Sequence, residues 1–223
     1  MGKFDNSWFI IPARRGSKGV PFKNRFLIQY VIDSIPDNLK EKIIVSTDDE
    51  YIVEQMLKRN IEVLERRSEL ATDESDVKCV VEDVITQYKI KDDDFIFMLY
   101  TVWPERTFEM IENIFDIFLR ENIDSLLCST EVKTHPYMTF YRKDENRGEA
   151  VIKHKFYRRQ DYPDCFVINH LVTIFKSGTI GDLNTQFYND KTYFHPVDEL
   201  INIDSKVDLE KYNFKYKKEI SYE

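Results

Sequence analysis

Five cations, Arg14, Arg15, Lys18, Lys23 and Arg25, fall within twelve residues that contain no acid, in a chain of net charge −8. Gly16, Ser17 and Gly19 are interleaved with them. Glycine tolerates turns that aim successive backbone N–H groups inward, and such a nest suits phosphate oxygens. Guanidinium and ammonium groups beside it add charge-assisted donors. The apolar run Trp8-Phe9-Ile10-Ile11 comes just before and has the length of one buried strand. Pro12 cannot donate to a sheet ladder, so the strand ends there. The stretch reads as a phosphate-binding turn at the mouth of an α/β sheet rather than a solvated surface loop. It matches neither the P-loop pattern nor Gly-x-Gly-x-x-Gly.

The elements that must hold this loop alternate along the first 130 residues. Strands are expected at Lys42-Ile43-Ile44-Val45-Ser46, at Ile61-Glu62-Val63-Leu64, from Phe95 to Tyr100 and from Asp124 to Ser129. Between them lie a short helix from Phe26 to Ser34, one capped near Ser46-Thr47-Asp48, an amphipathic one from Asp76 to Tyr88, and one starting at Thr107. This alternation predicts a mostly parallel sheet with helices on both faces, and ligands of such sheets sit beyond the carboxyl ends of the strands. From about residue 133 to 170 the rhythm changes to strand-like segments, read as a β-rich flap or subunit contact that includes Phe166 to Phe175. A last strand is expected at Leu200-Ile201-Asn202-Ile203 and a last helix from Ser205 to Tyr212. Nothing divides the chain, so residues 1–223 are read as one domain.

Length and composition fit a soluble globular protein: 223 residues, 42% hydrophobic and 32% charged. No apolar run approaches the ~20 residues a membrane helix needs. The first residues lack the apolar segment of a secretory signal, so a cytoplasmic setting is expected. The acidic balance argues against nucleic acid as a partner. Cys79, Cys128 and Cys165 lack paired spacing and read as reduced core thiols. His135, His154, His170 and His195 show no close pairing of the kind zinc uses.

Pro12-Ala13-Arg14-Arg15-Gly16-Ser17-Lys18-Gly19, followed by Pro21-x-Lys23-Asn24, resembles the N-terminal signature of the N-acylneuraminate cytidylyltransferases. Four further blocks follow in the family's order. Arg66-Arg67-Ser68-Glu69-Leu70-Ala71-Thr72-Asp73 is similar to a family segment in which Arg66 approaches the nucleotide and Asp73 shapes the loop or caps a helix. Pro104, Arg106 and Thr107 survive from a segment whose glutamine faces the nucleotide, and Tyr100 takes the place of that glutamine. Arg158-Arg159-Gln160, Pro163 and then Asn169 resemble the sugar pocket, with Arg159 for the sugar carboxylate. An arginine suits bidentate capture of such a group. Ile201-Asn202-Ile203-Asp204 resembles a segment whose two aspartates hold magnesium; here the first is Asn202, which offers a carbonyl oxygen but no charge.

The resemblance implies a Rossmann-like fold of the nucleotide-diphospho-sugar transferase type with a small β-rich dimerisation excursion, a homodimer, Mg2+ as cofactor, and a place in cell-surface polysaccharide biosynthesis. It implies transfer of CMP from CTP to an acidic nine-carbon or related keto-sugar, with release of pyrophosphate. Arg14, Lys18 and Lys23 would be catalytic; Ala13, Arg14, Ser17, Asn24, Arg66 and Tyr100 would bind nucleotide. Arg159, Gln160 and Asn169 would bind sugar, and Asp204 with Asn202 the metal. The departures at Tyr100, Asn202 and Val77, where a serine is usual, and at His170, where glycine is usual, leave two alternatives open. One is a silent relative that binds a nucleotide or activated sugar; the other is a transferase with a changed base or sugar.

Overall fold

The apolar runs that lack polar alternation form the centre of a seven-stranded sheet in the computed structural model, which describes residues 2–17, 19–72, 74–218 and 220. β1 (Ser7–Pro12) pairs in parallel with β2 (Ile43–Thr47) on one side and with β4 (Phe95–Met98) on the other, and β2 pairs with β3 (Glu62–Glu65). Alternate residues of each strand serve opposite faces. Phe9, Ile11, Ile43, Val45 and Phe97 pack under α1 (Lys23–Ser34), α2 (Glu50–Lys58) and α4 (Phe108–Arg120). Ile10, Ile44, Ile96 and Met98 face α3 (Val77–Tyr88). Helices therefore cover both faces, as the run-and-stripe pattern predicts. A third cluster, Val20, Leu27, Ile203, Leu209 and Tyr212, joins α5 (Lys206–Tyr216) to α1 and to the loop after β1.

The far half of the sheet corrects two expectations. Phe166 to Phe175 is no part of a separate excursion: β8 (Phe166–Lys176) runs antiparallel between β4 and β5 (Ser125–Glu131), near the middle of the sheet. Only β6 (Phe140–Arg142) and β7 (Gly148–Ala150) stand apart as a two-stranded sheet. Leu200 to Ile203 is not a strand. That segment is irregular and is tied in where the Ile203 N–H donates to the Val102 carbonyl at 2.9 Å. The edge strand is β9 (Tyr193–Pro196), parallel to β5 and ended by a proline that an edge tolerates.

Two local readings also change. The cap of α2 is Asp49, whose side chain accepts from the Tyr51 N–H, while the Thr47 hydroxyl donates to the Ala13 carbonyl. Of the cysteines, Cys128 is buried, Cys165 half-buried and Cys79 exposed, because α3 turns Cys79 away from its apolar stripe. Among the described residues, no helix is long and apolar enough to cross a membrane.

Candidate functional site

The carboxyl ends of β1, β3 and β4, together with the middle of β8, border one cleft of about 370 Å3. Its walls include Arg14, Ser17, Lys23, Asn24, Arg66, Tyr100, Asn202 and Asp204, so most of the candidates from distant parts of the chain meet here. Ala13 lies buried just behind, where its N–H donates to the Ser46 carbonyl. Lys18 and Asp73 lie outside the described residues.

The loop after β1 is held from three directions. The Asn24 amide donates to the Arg14 carbonyl at 2.8 Å and accepts from the Thr101 hydroxyl at 2.5 Å, which lashes the loop to the end of β4. The Arg15 N–H donates to Asp48 at 2.8 Å. Gly19 packs against the backbone of Asp204, where an added Cβ would lie 1.8 Å from the carbonyl oxygen. No glycine takes a positive φ; Phe22, capping α1, does so instead at 52°. Gly19 is needed here for close approach. Asn24 lines the cleft but serves first as the strut of the loop.

The charges are placed with some burial. Arg66 donates to the Ser46 carbonyl at 2.9 Å, and burial, more than its neighbour Arg14, pulls its pKa down to about 10, opposed by Asp48. It stays cationic at neutral pH. Arg14 donates to the Thr72 carbonyl at 3.1 Å. Lys23 donates to Asp204 at 2.6 Å and to the Ile203 carbonyl at 3.3 Å. Burial, with Asp76 adding to it, pushes the Tyr100 phenol above its ordinary range while Arg66 opposes the rise, so Tyr100 is neutral.

Asp204 and Asn202 form the possible metal end. One Asp204 oxygen accepts from Lys23 and the other from the Asn202 amide at 2.8 Å. The side-chain carbonyl oxygen of Asn202 is buried without a hydrogen-bond partner among the described residues. One carboxylate and one orphaned carbonyl oxygen suit Mg2+ of the kind held largely by substrate phosphates. Among the described residues, no group of three or more His, Cys, Asp or Glu forms a site independent of substrate.

The proposed sugar residues are not brought to this cleft. Arg159 and Gln160 are exposed and line a separate hollow with Lys133, His135 and Tyr162. Asn169 is buried, borders an adjoining hollow, and uses its side-chain oxygen to accept from the Leu171 N–H at 2.8 Å. His170 and Val77, named as departures at the family's ligand positions, line the cleft, and so do Gln186, Trp103 and Thr101, to which the sequence reading gave no role. The only signal was negative: His170 and Val77 stand where the resemblance expects other residues. Nothing local marks Gln186.

A family model described as "Cytidylyltransferase" matches residues 8–213. An N-acylneuraminate cytidylyltransferase from Streptococcus agalactiae is 29% identical over 205 residues; the match covers 87% of this chain but 49% of that protein, so the chain spans about half its length. A CMP-N,N'-diacetyllegionaminic acid synthase from Legionella pneumophila is 27% identical over 215 residues, covering 89% of this chain and 91% of the other. Among solved structures, CMP:2-keto-3-deoxy-manno-octonic acid synthetase complexed with CTP superposes with a TM-score of 0.67 at 13% identity, covering 96% of this chain and 99% of that one. That likeness supports the fold, a mostly parallel sheet with helices on both faces, and the family match, which covers the loop after β1 and the cleft it borders, makes this chain a member of the cytidylyltransferase family.

Proposed function

We propose that the protein transfers CMP from CTP to an acidic keto-sugar and releases pyrophosphate. The observation that carries this reading is the convergence of Arg14, Lys23 and Arg66 on one cleft at the carboxyl edge of the sheet, in a chain of this family. The acceptor hydroxyl attacks the α-phosphate and pyrophosphate leaves. Chemistry of this kind is accelerated mainly by fixed charges facing the phosphate as its charge shifts. Arg14 and Lys23, with Lys18, supply those charges, and the amides around Ser17 hold phosphate oxygens. Arg66 faces the nucleotide, and Tyr100, as a neutral phenol, bounds the floor between nucleotide and acceptor. Asp204, with the orphaned carbonyl of Asn202, would hold Mg2+, which neutralises charge on the triphosphate when bound.

Exposed Phe140, Tyr141, Val151, Ile152 and Tyr157 support a homodimer through the β6–β7 region. Arg159 and Gln160 would serve the acceptor only across such an interface. The proposed setting is the cytoplasm, in the supply of activated sugars for cell-surface polysaccharide.

The test is pyrophosphate release from CTP and Mg2+ with a panel of sialic, legionaminic, pseudaminic and deoxy-octulosonic acids. Release with one of them is expected. A second reading, a silent nucleotide-binding relative, is favoured by one observation: both Asp204 oxygens are engaged by Lys23 and Asn202. Folded protein that binds CTP but releases no pyrophosphate with any acid would establish it.

A further inference from the structure

The pairing of β5 with β8 breaks at the cleft. Leu127 faces Thr173, but the next residue, Cys128, faces Asn169, so His170, Leu171 and Val172 are extruded from the ladder. Bulges re-aim side chains, and this one is built from buried groups. Arg106 donates to the Leu171 carbonyl at 2.7 Å and, with its other terminal nitrogen, to the Tyr100 carbonyl at 2.8 Å. The Cys128 thiol donates to the Val172 carbonyl at 3.3 Å, and Asn169 holds the Leu171 N–H. Arg106 is 3% exposed and has no carboxylate partner among the described residues.

The bulge turns His170 into the cleft, with its ring edge-on to Tyr100 at 5.5 Å. Its Nδ1 lies 3.2 Å from the Thr173 hydroxyl and its Nε2 lies 3.3 Å from Gln186 Oε1. Burial keeps the imidazole neutral at pH 7. A glutamine oxygen can only accept, so Nε2 carries the hydrogen and Nδ1 accepts from Thr173. With its oxygen taken, the Gln186 amide nitrogen has two donors and no protein partner among the described residues.

A second, independent feature fixes Gln186. The next residue, Phe187, has φ 61°, a costly conformation for a bulky side chain. It is tolerated because the ring is 1% exposed and stacks on Phe175 at 5.8 Å. Asn184 accepts from the Gln186 and Tyr188 N–H groups and closes the turn. Backbone strain held beside a cleft residue is typical of ligand clamps.

The charge layout says what is clamped. Arg14, Lys23 and Arg66 follow β1 and β3, where the transferase reading puts the triphosphate. The β8 side of the same cleft, Trp103, Ile168, His170 and Gln186, carries no formal charge. Resting on the transferase reading above, we propose that Gln186, positioned by His170 and the β8 bulge, donates to the neutral hydroxyl and acylamino groups of the acceptor and so selects which sugar acid is taken.

The test compares KM for CTP with KM for each acid in Gln186→Ala, His170→Ala, His170→Asn and the double Ala variant. Losing a hydrogen bond to a substrate group should raise KM for the preferred acid roughly tenfold and shrink the preference among acids. KM for CTP should change less than twofold. The double variant should be no worse than Gln186→Ala, and His170→Asn, which keeps a donor, should recover part of the loss. Equal effects on CTP and acid, or an unchanged acid preference, would overturn the inference while leaving the transferase reading intact. If wild-type protein releases no pyrophosphate, calorimetry with CTP and each acid takes over. Acid binding weakened by Gln186→Ala would support the clamp and sink the transferase reading; no acid binding at all would sink both.

Discussion

Arg106 offers the sharpest check on how the cleft is held, because its charge is buried without a counter-charge among the described residues. Burial pulls its pKa far below the ordinary guanidinium range, to about 9, which corresponds to about 5 kcal/mol against the charged form. Two hydrogen bonds from a charged donor, each worth about 1.5–3 kcal/mol, offset that cost. Replacement by methionine removes the charge and its penalty but leaves the Tyr100 and Leu171 carbonyls without donors, at about 1–3 kcal/mol each. In the wild type the charge penalty and the hydrogen bonds roughly cancel, so the net change in stability of Arg106→Met is set by the two orphaned carbonyls, a loss of about 2–6 kcal/mol. Arg106→Lys should be worse, since a compact ammonium keeps the buried charge and cannot span both carbonyls as a planar fork does. Thermal melting read beside kcat/KM makes the test. Methionine should melt below wild type but above lysine, and lose at least tenfold in kcat/KM for the acid, because the end of β4 and the β8 bulge are no longer tied. The reasoning is refuted if lysine melts above methionine, or if methionine keeps full kcat/KM.

Asn202→Asp restores a second carboxylate beside Asp204 and should lower the Mg2+ concentration giving half-maximal activity severalfold; an unchanged Mg2+ dependence would remove Asn202 from the metal account. Phe140→Glu, at a side chain 63% exposed, should shift the protein from dimer to monomer in light scattering while leaving the melt of the main sheet unchanged; a dimer that persists places the interface elsewhere. Burial lowers the pKa of both His170 and His195, with Arg120 adding to the effect at His195. The unfolded chain then takes up protons first, so this stability is present above about pH 6.5 and lost as pH falls below it. Tm should drop between pH 7 and 5.5, with a shallower slope in His195→Asn; an equal slope would clear His195 of that role.

What the sequence made legible was local. The cationic loop, the strand before it, and the helix starts at Asp76 and Thr107 are each written in a few consecutive residues, and in the structure those two residues cap the helices. What it hid was register. Nothing near Phe166 says that β8 inserts antiparallel between β4 and β5, and nothing near Cys128 says that three residues of its partner are extruded. Arg106 reads as a helix-proximal cation until the packing leaves it with carbonyls alone. Arg159 looks well placed by its arginine neighbour and its resemblance, yet one chain folds it away from the cleft.

The departures from the family pattern make more sense as a set than singly. Tyr100 stands where the resemblance expects a glutamine, and His170 where it expects glycine. Their rings touch edge-on, so each fills space that the other's usual residue would leave open. A tyrosine cannot offer an amide to a ligand, but Gln186, exposed at the rim of the cleft, held by His170 and followed by the strained Phe187, can do so. The amide lost at one wall of the cleft is thus regained at another. A relative drifting free of function has no reason to hold a bulky residue at positive φ, bury an unpaired guanidinium and orphan a carbonyl around the same cavity. Each of these costs stability, and all three border or support the cleft.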